Sequence, residues 1–67
     1  MSEVRYPDVT VVLSGTDGNA FAIVGRVRKA MSAAGVPDEM LERYRIEAMA
    51  GDYDHLLQTT MRWVNVE

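Results

Sequence analysis

A valine-rich run, Val9-Thr10-Val11-Val12-Leu13, stops at Ser14-Gly15-Thr16-Asp17-Gly18-Asn19 and gives way at once to a helical repeat. The spacing of apolar residues changes there from two to about 3.6, so the chain must build a strand and a helix that share one apolar interior. Val9, Val11 and Leu13 fall on one face of the strand, and Thr10, Val12 and Ser14 on the other. The mixed second face predicts only partial cover. Residues 1–8 read as a polar lead-in, in which Pro7 suits a strand edge or an extended entry because it lacks an N–H. The compact domain is expected over residues 9–67, with the first strand running from Val9 to Ser14.

The first helix is expected from about Asp17–Ala20 to Ala34, capped by Asp17 or Asn19. Ile23, Val27, Ala30, Met31 and Ala34 repeat at the spacing of a buried stripe, which Phe21 and Val24 widen. Arg26, Arg28, Lys29 and Ser32 fall largely on the outer side. Gly25 costs about 1 kcal/mol relative to alanine in mid-helix, and close packing against a neighbour is its expected compensation. Gly35 ends the helix in a left-handed cap. Val36-Pro37-Asp38-Glu39 starts a second helix, with Pro37 at its first position and the two acids facing its positive end. That helix runs to about Ala50, with Met40, Leu41, Tyr44, Ala48 and Met49 as its apolar side and Ile46 apart from them. Gly51 ends it. Asp52 caps a third helix over Tyr53–Met61, with Leu56, Leu57, Thr60 and Met61 inward, and Trp63–Val66 reads as a strand. The expected fold is therefore α+β, a small single domain in the order β-α-α-α-β. Its helices pack on a short sheet made by the two terminal strands.

Size and composition narrow the function classes. A chain of 67 residues buries only about 60% of its unfolded surface, so a partner or a staple is a common supplement. With no cysteine there is no disulfide or thiolate zinc site, and a single histidine argues against a structural metal. No metal or cofactor is expected. A net charge of −3 argues against direct binding to a phosphate backbone, which needs a basic face. No apolar run reaches the roughly 18 residues of a membrane span, and the N-terminus has no signal-peptide pattern, so the expected location is cytoplasmic.

Four residue groups could carry chemistry. Gly15, Thr16, Asp17, Gly18 and Asn19 bring backbone N–H groups and a helix N-terminus together, which suits a nucleotide or another anion. The loop lacks the lysine and the Ser/Thr of a phosphate-binding loop, and Asp17 would repel an anion. A plain strand-to-helix turn explains the same residues. Asp52, Asp54 and His55 could ligate a metal or form an acid–base pair, but acids at a helix start are also what its dipole prefers. Tyr44, Tyr53, Trp63 and the methionines suit either an interface or the core. The fourth group is a basic stripe (Arg26, Arg28, Lys29), which could hold an acidic partner or a phosphate, against the plainer reading of a solvated helix face. Acidic residues on the second helix, including Glu39, Glu42 and Glu47, could meet Arg43, Arg45 or the first helix.

Along Gly15–Val27 (G-x-D-G-N-A-F and its continuation) and Gly51–Val64 (G-D-Y-D-H-L-L-Q and its continuation) the chain resembles a family of short bacterial and phage proteins of unknown function. The resemblance implies a free-standing single-domain protein and brings no catalytic residue or cofactor. Together these readings lead to a small non-enzymatic module that binds another protein, with Trp63, Tyr53, Tyr44, Glu39 and Glu42 as interface candidates. A homodimer is a second form of partnership. A phage-borne copy would fit an inhibitor of a host complex, such as an anti-defence or anti-CRISPR protein. The alternative is the nucleotide or anion binder built on Gly15–Asn19.

Overall fold

In the computed structural model, which describes residues 4–13 and 18–67, Tyr6–Val11 form strand β1 and Val64–Val66 form strand β2. Helices α1 (Ala20–Ala33), α2 (Asp38–Ala48) and α3 (Tyr53–Trp63) lie between them. The order is β-α-α-α-β, as the periodicity predicts. The two strands pair in parallel, Tyr6 with Val64, Thr10 with Asn65 and Val11 with Val66. Parallel neighbours need a long crossover, and here the three helices supply it. Val9, Val11 and Val64 turn into the core, whereas Thr10, Val12 and Asn65 stay exposed, so the helices cover one face of the sheet.

β1 starts three residues earlier than the sequence pattern suggests and ends earlier too. The lead-in is drawn into the fold: Arg5 donates its N–H to the Arg62 carbonyl at 2.9 Å, and Tyr6 pairs with Val64. A register irregularity between Tyr6 and Thr10 takes up Pro7, whose carbonyl accepts from the Asn65 side chain. That is where a residue without an N–H costs the ladder least.

The helix ends are decided locally. Asn19 caps α1 by accepting from Phe21 N–H at 2.8 Å. At its other end Gly35 (φ +93°) donates to Ser32 and Val36 donates to Met31, both at 3.0 Å, the paired bonds of a Schellman motif. Val36 and Met31 are both buried and belong to the same apolar core. Pro37 is the cap residue of α2 rather than its first helical residue, because its ψ of 151° is extended. Asp38 and Glu39 occupy the first turn. Asp52 caps α3 through His55 N–H at 2.9 Å.

Side-chain placement departs from the helical wheels in specific places. Phe21 is 76% exposed, because Ala20 and not its neighbour turns toward α3. Met61 is 52% exposed, and Thr59 is buried in its place. The inward stripe of α3 is Leu56, Thr59, Thr60 and Trp63, one residue out of phase with the Leu57/Met61 side. Met31 is core, Met40 and Met49 are packed against it in part. Gly25 is exposed, and a methyl group there would meet nothing within 4 Å, so no close packing compensates it.

The buried hydroxyls of Tyr44 and Thr60 join α2 to α3. Thr60 donates to the Leu56 carbonyl at 2.9 Å, which uses its only proton, so Tyr44 is the donor in the 2.7 Å bond to Thr60 Oγ1. Burial pushes the Tyr44 hydroxyl above its usual ionisation range, and the Thr60 bond works against that rise.

Two outcomes follow from these positions. Gly25→Ala should raise stability by about 1 kcal/mol, measured by urea unfolding, because it gains helix propensity without a clash. Tyr44→Phe should lower stability by about 1 kcal/mol at neutral pH. An unfolded tyrosine ionises near pH ~10 and the folded one higher, so this contribution is full below that pH and is lost as pH rises through the folded value. The fall in stability above pH ~10 should therefore be shallower in Tyr44→Phe than in the parent.

Candidate functional site

The sequence offers Asp52, Asp54 and His55 either as a helix start or as a metal or acid–base group, and the fold gives each a structural task. Asp52 caps α3, and Asp54 accepts from Gln58 Nε2 at 2.8 Å. His55 Nε2 lies 2.9 Å from the Glu47 carbonyl and 3.3 Å from Thr59 Oγ1. A carbonyl can only accept, so Nε2 carries the proton and ties α3 to the last turn of α2. Gly51 makes this approach practicable: a β-carbon there would lie 2.8 Å from His55 Cγ and 2.9 Å from its Cβ. The glycine that ends the helix in the sequence reading thus serves the packing of a ring. Among the described residues no group of three or more His, Asp or Glu side chains could hold a metal.

The aromatic candidates divide. Trp63 and Tyr44 are 1% and 0% exposed, which removes both from the surface where an interface residue must stand. Trp63 Nε1 donates to Glu47 Oε1 at 3.1 Å, its ring meets Tyr44 edge to face with centroids 5.6 Å apart, and Tyr6 lies at 6.0 Å. The Arg5 guanidinium covers the same ring at 4.5 Å. Tyr53 stays at the surface, 47% exposed. It stands at the end of the molecule where α1 and α3 both begin, with its hydroxyl 3.8 Å from the place of a β-carbon on Gly18 (φ +78°). Ala20, Ala48, Met49, Tyr53 and Leu56 line a small apolar cleft there, about 90 Å³ in volume. Phe21 projects from the same end.

Of the proposed anion loop, Gly15, Thr16 and Asp17 lie outside the described residues. Gly18 and Asn19 are exposed, and the Asn19 side chain is engaged in capping α1.

The charged candidates divide as well. Glu39 is exposed, and Glu42 bonds to Arg45 one turn away. The Arg45 hydrogen bond holds the Glu42 carboxyl below its usual range, and the charges of Arg45 and Arg28 add to that. Arg28 is half-buried on the α2 side of α1, and its Nε is buried without a hydrogen-bond partner among the described residues. Arg26 and Lys29, three residues apart, share a different face. With Thr10 of β1, Val12 just beyond its end, and Ala30 and Ala33 of α1 they line a groove of about 390 Å³. The sequence reading joined the three cations in one stripe. Their i, i+3 spacing was the available signal that Arg26 and Lys29 separate from Arg28.

No family model, curated protein or solved structure matches this chain. Among the described residues no helix is long and apolar enough to cross a membrane.

Gly51→Ala should destabilise the protein by about 1–3 kcal/mol, since the new methyl must displace the His55 ring. His55→Ala should cost about 1 kcal/mol through loss of the Nε2 bond. Thermal unfolding of both variants, with and without added divalent cations, checks the structural assignment. A metal-dependent shift in the parent that His55→Ala abolishes would contradict it.

Proposed function

We propose that this chain is a small non-enzymatic module that binds another protein. The observation that carries this reading is the pair of exposed aromatics, Phe21 and Tyr53, at the end where α1 and α3 start, beside an apolar cleft. A domain this small needs its large apolar side chains for its own core. Two of its aromatic rings are left outside that core at one end of the molecule. Aromatic side chains give large contact area at little entropic cost, and exposed apolar clusters rimmed by polar residues are the usual mark of a protein-binding surface. The polar rim here is Asn19, Asp52 and Asp54.

The nearby helix ends are already satisfied by Asn19 and Asp52, and the Asp52 carboxylate there favours a protein contact over an anion. Ile46 and Met61 are exposed at other positions, on α2 and α3.

The decisive experiment is affinity capture from lysate of the natural host, followed by titration with the purified partner. Phe21→Asp is the informative variant, because an acid in the first turn of α1 suits the helix dipole and leaves the fold intact. Binding should weaken about tenfold or more in Phe21→Asp, as for a desolvated aromatic anchor, and stay unchanged in Glu39→Ala. Equal affinity of Phe21→Asp and the parent would remove this face from the interaction.

A further inference from the structure

We infer that the free edge of β1 accepts an extended acidic segment of a partner protein as a third strand, seated beside α1. This deepens the interaction-module reading and rests on it, but it uses a different surface from Phe21 and Tyr53.

The backbone direction of β1 is set by its bonds to the C-terminus. Glu67 N–H donates to the Val11 carbonyl at 2.9 Å, and Leu13 N–H donates to the Glu67 carbonyl at 3.0 Å. Peptide groups alternate sides along a strand, so those of Val11 and Leu13 face β2 and those of Thr10 and Val12 face the opposite edge. The sheet has two strands in the order β1-β2, and nothing among the described residues pairs with that edge. Thr10 and Val12 are exposed. An unpaired edge of this kind is a template for another strand unless charge or cover blocks it.

At Thr10 and Val12 neither block is present among the described residues, since Pro7, Asp8 and the register irregularity all lie before Thr10. Instead the edge opens into the groove against α1, whose near wall is small (Ala30 and Ala33) and leaves room for a backbone. Arg26 and Lys29 stand on the same wall, both exposed, and neither has an acidic partner among the described residues. In a protein of net charge −3 this is a local positive site. It selects carboxylates at alternate positions of an incoming strand, those that project toward α1.

The same charges argue against a second copy as the occupant. Antiparallel pairing of two β1 edges would place both α1 helices on the same side of the joined sheet. Arg26 and Lys29 of one copy would then face those of the other, and like charges across an interface oppose association.

The test is selection from a displayed library of random dodecapeptides on the full chain, followed by amide hydrogen exchange with a synthetic copy of the most enriched peptide. Enrichment of sequences with acids at alternate positions, together with slowed exchange of the Thr10 and Val12 amides, is the expected result. Charge reversal at Arg26 and Lys29 together (R26E, K29E) should weaken that peptide about tenfold or more. Thr10→Pro should abolish binding while the protein remains folded, since only an outward-facing N–H is lost. The charge reversal is a surface change, so the proposal stays testable if Thr10→Pro unfolds. Failure to enrich acidic sequences, or binders indifferent to the charge reversal, overturns the proposal. So does a dimer by sedimentation whose Thr10 and Val12 amides are protected without peptide. If a Phe21-dependent partner still binds in that case, the interaction-module reading stands and the edge proposal alone falls.

Discussion

Trp63 is the residue on which the rest of the structure depends. It is the last residue of α3, and Val64, the next, is the first of β2. No loop separates helix from strand, so the seat of the indole fixes where β2 begins and which way it points. The seat is made by distant parts of the chain: Tyr44 and Glu47 from α2, and Arg5 and Tyr6 from the N-terminal end. Tyr6 both stacks near the indole and pairs with Val64, so packing and strand register are the same constraint. A parallel two-stranded sheet has little stability of its own, and an anchor of this kind at one end of it is what such a sheet requires.

The second layer of organisation is polar and runs between α2 and α3. The chain Tyr44–Thr60–Leu56 carbonyl lies inside the core, and His55 to the Glu47 carbonyl lies at its margin. Hydrogen bonds of this kind add modest net stability each, but an unpaired buried hydroxyl would cost more than the bond gains. They therefore fix the rotation of α3 against α2. With α3 so rotated, Thr59 goes inside and Met61 outside. The Asp52 carboxylate is spent on the start of α3, that of Asp54 on the Gln58 side chain one turn on, and the His55 imidazole on a carbonyl.

What remains at the surface follows from the economy of a short chain. Among the described residues one face of the two-stranded sheet is covered and the other is not, and β1 keeps one edge open. Phe21 and Tyr53 stand at the end where two helices start, and Arg26 and Lys29 flank the open edge. These are two separate surfaces, one apolar and aromatic, the other a backbone edge with positive charge. A module that meets a larger partner could use both.

Much of the architecture was legible in the residues, because its signals are local. Alternation marks β1, Asn19 and Asp52 announce helix starts, and Gly35 announces a stop whose left-handed geometry the structure bears out. The element order and the pairing of the terminal strands follow from these and from the need to bury both strands. Three features were decided only by the tertiary structure. The start of β1 moved to Tyr6 because Trp63 and Val64 offered that residue a partner 58 positions away in the chain, a contact no local pattern encodes. The inward stripe of α3 was set by Tyr44 and Trp63 and not by hydropathy, which cannot tell Thr59 from Met61 without knowing where a buried hydrogen bond waits. The surface likewise became readable only when folded: Trp63 and Tyr44 sank, Tyr53 stayed out, and Arg26 and Lys29 parted from Arg28. Propensity and capping act within a turn or two of chain and so can be read along it. Burial and charge pairing depend on which distant residues arrive, and only the fold supplies those.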